Sequence, residues 1–184
     1  LSPPLLEEVR GLADGAAISF EEAMLCQVRA EAAQVSSGKM EGCSKMEGCS
    51  AFAMTGTATA DGQPLAGQNQ DLEPEYADVA ILLRVKPADG RPRALMFTFA
   101  GQLGYSGMNE HGLAHFANAL YDYQWRHGLP HYPLKRVMLE KETVEECVEL
   151  LEQNRTCSAH NVVLCDSLGK IADVEVRPDG IALF

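Results

Sequence analysis

From residue 49 onward, apolar runs of strand length alternate with tight turns, and this constrains the fold more than any other feature. SAFAMTGTATA reads as a strand, ADGQ at 60–63 as an Asp-Gly turn, and PLAGQNQ as the returning strand. VAILLRVKP at 79–87, the turn ADGRP and RALMFTFAG at 93–101 repeat the pattern as a second hairpin. GQLGYSGMNEHG at 101–112 reads as glycine-rich turns, or close backbone approaches next to a pocket, leading into the strand LAHFANAL at 113–120. AHNVVLCDS at 159–167 and KIADVEVRP at 170–178, joined through Leu168-Gly169, form a last hairpin, and DGIALF begins another strand. These runs are too apolar for a sheet with one wet face, so helices must cover at least one side.

Two stretches supply helices. Residues 4–13 place Leu5, Val9 and Leu12 on one face, and Ser19 with Glu22 makes a capping box for a helix over 20–34. Residues 133–153 carry the strongest helical signal, with Glu142 or Thr143 marking a break and Val144, Cys147, Val148 and Leu151 forming an apolar stripe. The order is helix, helix, hairpins, helix, hairpin. It predicts an α+β fold of antiparallel sheets layered against helices. The organisation is a helical region over 1–34, a linker over 35–48 and a sheet-rich core over 49–184.

The linker VSSGKMEGCSKMEG is rich in glycine and small residues, and KMEGCS at 39–44 recurs at 45–50. The duplication creates two Gly-Cys pairs, Gly42-Cys43 and Gly48-Cys49. Cys49 stands where the flexible segment gives way to a strand. Cleavage of the Gly48–Cys49 bond would leave Cys49 with a thiol and an α-amine. Such an amine has an ordinary pKa near 8, so one residue would supply both nucleophile and base. A half-buried structural cysteine is the alternative. Cys43 is a rival by loop length, while SAFAM directly after Cys49 favours the latter.

Asn69 and Asp71 follow the strand in LAGQNQDL, with Gln68 and Gln70 around them. Asp71 could orient the new amine, and Asn69 or Gln68 could donate to substrate or backbone; an Asx turn at the strand end accounts for the same residues. Asn118 lies within an apolar strand and must find a partner, structural or catalytic; as a donor it would suit a developing oxyanion. Phe52, Phe97, Tyr105 and Phe116 could line an apolar acyl pocket or belong to the core.

Other classes are disfavoured. The net charge of -11 repels phosphate backbones, no segment has the length and apolarity of a transmembrane helix, and no phosphate-binding glycine motif occurs. Five histidines lack metal spacing and read as turn or surface residues, so no metal or cofactor is expected. Of the six cysteines none forms C-x-x-C. Cys147, Cys157 and Cys165 read as small buried hydrophobes, and a reducing, cytoplasmic location is favoured.

The ordered set EEVRGLADGAAISFEEAMLCQVRAE, GCSAFAM, LAGQNQDL, FTFAGQLGYSGMNEHGLAHFANAL and HNVVLCDSLGKIADVEVRPDG resembles the acyl-coenzyme A:6-aminopenicillanate (isopenicillin N) acyltransferase family of cysteine N-terminal nucleophile hydrolases. The resemblance covers nearly the whole chain. It implies a four-layer αββα sandwich, of which this chain carries an incomplete portion, a further oxyanion asparagine lying downstream of any position here. It implies Cys49 as the self-cleaved nucleophile, Asp71 as the acid near its amine, Asn118 as a group facing substrate or oxyanion, and Arg29 with Glu31 as a polar pair serving processing or architecture. The implied reaction is attack on a small-molecule amide, an acyl-enzyme, and release to water or to an acceptor amine. The cleaved chains would remain associated, and a homo-oligomer is compatible with the family. Two alternatives stand beside this: a choloylglycine or penicillin V acylase-like hydrolase, and an inactive scaffold of the same fold retained for binding or assembly.

Overall fold

The computed structural model describes residues 2–32, 48–120 and 126–184. Residues 33–47, which hold Cys43 and nearly all of the predicted linker, lie outside the described residues. Helix α1 (Pro3–Ala16) buries Leu5, Val9 and Ala13, one residue per turn, and ends on Ala17 in a left-handed conformation. Helix α2 (Phe20–Gln27) starts with the predicted capping box: Ser19 Oγ accepts from the Glu22 amide at 3.1 Å, and the Ser19 amide donates to Glu22 Oε2 at 2.8 Å. It stops well short of residue 34. The Gln27 side chain is fully buried, donating to Ala23 O and to Gly101 O (2.6 Å) and accepting from the Leu103 amide (2.8 Å). The chain bends at Val28 and resumes one helical turn over 29–32.

Nine strands follow among the described residues. β1 (Cys49–Met54) and β2 (Leu65–Gln70) form a two-stranded antiparallel sheet with Cys49 opposite Gln70 and Ala51 opposite Gln68. β3 (Ala80–Val85), β4 (Ala94–Phe99), β5 (Ser106–Asn109), β6 (Ala114–Ala119), β7 (His160–Cys165), β8 (Ile171–Arg177) and β9 (Gly180–Leu183) form a seven-stranded antiparallel sheet in chain order. The hairpins anticipated from apolar runs and turns are all present. β5 was not: its glycines read as turns or close backbone approaches, and Gly107 is one of the latter. Gly107 stands opposite Met96 in the β4–β5 pair, where a Cβ would collide with the Leu95 carbonyl oxygen.

The predicted break in the long helix is also present. α3 (His131–Met138) and α4 (Val144–Gln153) are separated because Asn109 Nδ2 donates to the Leu139 and Lys141 carbonyls, at 3.1 and 2.6 Å. Thr143 then caps α4, accepting from the Glu146 amide at 3.3 Å. Both helices pack on one face of the large sheet, where Leu134, Met138, Val144, Cys147 and Leu151 meet Leu113, Val162, Leu164 and Val174. α1 and α2 pack beside them against Leu103 and Val137, and buried Arg136 reaches Glu8 at 3.2 Å.

The opposite face of the large sheet receives β1–β2, which contact β6 and β7. The layers are therefore helix, large sheet, small sheet. Among the described residues, no helical core cluster covers the outer face of the small sheet, where Phe52 and Leu65 are about half exposed (47% and 49%).

Candidate active site

Strand alternation decides which side chains of the small sheet can reach the large one. Cys49, Ala51, Gln68 and Gln70 face inward. Ser50, Phe52, Gly67 and Asn69 face outward, where Phe52 lies over Gly67 and Asn69 donates to Ser50 Oγ at 3.4 Å. The direction is fixed by Gln68, whose Nε2 donates to Ala117 O at 2.5 Å and whose Oε1 accepts from the Ala117 amide at 3.4 Å and from Ser106 Oγ at 3.1 Å. Ala117 can take this partner because β5 pairs with β6 only at Gly107–His115 and Met108–Ala114. Phe52 and Asn69, read as pocket candidates, thus lie on the face turned away from Cys49.

Cys49 is half-buried and opens β1. Asp71 directly follows β2 and is exposed, its carboxylate beside the Gly48–Cys49 junction: a methyl placed on Gly48 would lie 3.6 Å from Asp71 Oδ2. Cys49, Asp71 and Gly48 are brought together by the pairing of β1 with β2 alone.

Aromatic residues form a continuous pack inside the fold. Phe97 meets Phe99 at 5.5 Å between ring centroids, Phe99 meets Tyr105 at 5.3 Å, and Tyr105 meets Tyr132 at 5.5 Å. Phe97 and Tyr105 therefore belong to this cluster, while Phe116, half-buried in β6, shares a strand face with Asn118. The buried Lys135 ammonium sits 3.9 Å above the Tyr105 ring and 5.5 Å from Tyr132. Burial pulls its pKa down to about 7, opposed by the negative charges of a Cys49 thiolate and of Glu31.

Arg29 and Glu31 arrive on the helical turn after α2. Arg29 donates to the phenolic oxygens of Tyr76 (2.7 Å) and Tyr132 (2.8 Å). Glu31 is buried and accepts from the His131 amide at 3.1 Å, with the His131 ring Nδ1 at 2.9 Å. Burial alone would raise the Glu31 pKa; the His131 hydrogen bonds and charge outweigh it and hold the carboxyl at about 2.

Three histidines read from sequence as turn or surface residues are interior instead. His115 is fully buried against Lys135 O (2.9 Å), its pKa lowered to about 3 by burial and then by the Lys135 charge. His160 is buried and driven well below the ordinary range by burial, and His131 stacks on Tyr132 at 4.0 Å. His115 and His160 face the helix layer and His131 opens α3, a placement that short strand and turn motifs cannot reveal. Among the described residues no group of three His, Cys, Asp or Glu is placed to hold a metal, and no helix is long and apolar enough to cross a membrane.

Asn118 faces the small sheet, on the opposite side from Val162 and Leu164. Its Nδ2 donates to Asn161 Oδ1 at 2.8 Å, and Asn161 Nδ2 donates in turn to Asp173 Oδ1. Sequence reasoning had no signal for this relay, since its members come from three strands.

Residues 57–182 match the family described as acyl-coenzyme A:6-aminopenicillanic acid acyl-transferase. The chain belongs to this family. The matched span of this acyl-transferase family member takes in Asp71, Asn118 and the Asn161–Asp173 relay and begins after Cys49. Among solved structures the chain is similar to penicillin V acylase from Agrobacterium tumefaciens, at 18% identity and a TM-score of 0.40. That similarity covers 77% of this chain and 43% of the other, so the chain spans less than half the length of that protein.

Proposed function

We propose that this protein is a self-processing cysteine amidohydrolase or acyltransferase acting on small-molecule amides. The observation that carries the reading is the junction itself. Cys49 opens a strand facing the large sheet, with the Asp71 carboxylate beside Gly48.

In the uncut chain the Cys49 thiol attacks the Gly48 carbonyl, an N→S acyl shift gives a thioester, and water hydrolyses it. The products are a Gly48 carboxylate and a free Cys49 α-amine. In turnover that amine takes the thiol proton and the sulfur attacks the substrate carbonyl. The C–N bond then breaks as the leaving amine takes the proton, and water or an acceptor amine releases the acyl group from sulfur. Asp71 holds the α-ammonium form and orients it. Arg29 and Glu31 serve processing or architecture, holding Tyr132 and His131.

Intact mass and N-terminal sequencing of fresh protein test this. Two fragments, one starting CSAFAM, with Cys49→Ala abolishing cleavage and acyl labelling and Cys43→Ala sparing both, are the expected result. A single chain that neither cleaves nor acylates would overturn it.

A further inference from the structure

The two edges of the large sheet are built differently. β9, at one edge, is four residues long and begins with glycine. β3, at the other, is six residues long, AILLRV, with no proline and one charge, Arg84. Leu82 in its middle is 77% exposed, and Ile81 beside it is exposed as well. Soluble proteins blunt an edge with charges, proline, bulges or shortness, because a flat apolar edge is a template for another strand. β3 is the edge left open.

Which backbone groups of β3 are free follows from its ladder. The Ala100 amide donates to Val79 O at 2.8 Å, so the odd-numbered residues of β3 bond to β4. Ala80, Leu82 and Arg84 therefore turn their N–H and C=O groups to the open side. Their side chains lie on the face away from the helices, since Leu83 and Val85 pack with Met96 and Leu139.

Charge is divided along the strand. Glu75 and Asp78 stand in the 3-10 turn just before it, and Arg84 and Lys86 stand at its end. Asp78, Arg84 and Lys86 are exposed, and none has an ion-pair partner among the described residues. A strand acidic at its head and basic at its tail is complementary to itself run antiparallel. Elsewhere a chain of net charge -11 repels its own copies, so self-association needs a contact that is locally balanced.

We propose that β3 pairs antiparallel with β3 of a second copy about a two-fold axis through Leu82, joining the two seven-stranded sheets into one. Leu82 then lies opposite Leu82 of the partner subunit, and the two exchange both backbone hydrogen bonds. Ala80 and Arg84 of the partner subunit do the same, and so does the symmetric pair. On the helix face Ile81 meets Leu83 of the partner subunit, which continues the cluster of Met96 and Leu139 across the axis. Lys86 comes against Asp78 of the partner subunit, twice per dimer. A strand pair buries little surface, so the dimer is weak and forms in proportion to concentration. Nothing in it depends on Cys49 being the nucleophile.

Sedimentation velocity of the full chain tests this. Between about 5 and 500 µM a monomer should exchange with a species of twice its mass, with a dissociation constant on the order of 10–100 µM. Leu82→Lys sets two like charges on the axis and should weaken dimerisation by about thirtyfold or more, with the urea midpoint unchanged. Asp78→Lys and Lys86→Asp should each weaken it by about five- to tenfold. Combined in one chain they should restore it to within about threefold, because each contact joins one of these positions to the other across the axis. If Leu82→Lys fails to fold, the charge exchange decides. A monomer at every concentration, assemblies larger than a dimer, a dimer indifferent to these substitutions, or reversals that do not rescue each other would overturn the inference. Cleavage and acylation at Cys49 are separate readouts, so either proposal can fail alone.

Discussion

Gln68 occupies both free backbone groups of Ala117, donating to its carbonyl at 2.5 Å and accepting from its amide at 3.4 Å. One side chain of the small sheet thus does for β6 what a neighbouring strand would have done where β5 leaves it. Gln68→Leu would strand an N–H and a C=O, each worth about 1–3 kcal/mol when buried and unpaired. The expected loss of stability is about 2–4 kcal/mol, measured by urea unfolding at pH 7. A loss below about 0.5 kcal/mol would show that water replaces the glutamine there.

Asp71 touches the cleavage junction from an exposed position. Asp71→Ala should change stability by no more than about 0.5 kcal/mol, as for other exposed sites. Under the proposed mechanism it should nonetheless slow appearance of the CSAFAM terminus by about tenfold or more. Time-resolved intact mass together with a thermal melt separates the two effects.

Acid should destabilise the fold early. His115 has an ordinary value of 6.5 and a folded value of about 3, so below pH 6.5 the unfolded chain binds a proton the folded one refuses. Glu31 has an ordinary value of 4.5 and a folded value of about 2, so its stabilisation is full above pH 4.5 and drains away toward pH 2. Stability should therefore fall from pH 6.5 downward and more steeply below 4.5. The fall should total several kcal/mol, read from urea midpoints, since each pH unit separating a folded from an ordinary value contributes on the order of 1.4 kcal/mol. A midpoint flat between pH 7 and 4 would contradict the burial of His115.

Lys135 acts on the alkaline side. Its folded value of about 7 lies below the ordinary 10.5. Between these pH values the unfolded chain keeps a proton that the folded chain has released, so stability rises with pH across that window. Below pH 7 the whole penalty of the buried ammonium is present. Lys135→Met should flatten the rise and stabilise the protein at pH 6 by on the order of a few kcal/mol. Urea midpoints of both proteins between pH 6 and 10 check this.

The cysteines should separate by reactivity. Burial pushes the Cys147 and Cys157 thiols up to about 12, while Cys26 and Cys49 are half-buried. Native protein treated with iodoacetamide at pH 8 should leave Cys147 and Cys157 unmodified, about one molecule in ten thousand carrying either thiolate at that pH. Peptide mapping before and after unfolding checks this.

The features legible in the sequence were those encoded over a few residues. The hairpins, the Ser19–Glu22 capping box, the break before Thr143 and the closeness of Asp71 to Gly48 all follow from periodicity, turn chemistry or a single strand register. β5 is not legible because Gly107 serves the close approach of β5 to β4, and a glycine of that kind looks locally the same as one in a turn. The helix expected after Ser19 is interrupted at Val28, where the buried Gln27 side chain is claimed by Gly101 and Leu103 far along the chain, and it resumes over 29–32. By itself, then, the sequence determined the alternation of strands and helices and the placement of a cysteine at the head of a strand with an acid beside it. Which faces of β1 and β2 look inward, the burial of Lys135 and His115 beneath the sheet, and the commitment of the Asn118 amide to Asn161 were decided only by tertiary packing. Hydrogen bonds among Asn118, Asn161 and Asp173 exist only once three strands align, so no local pattern can carry them.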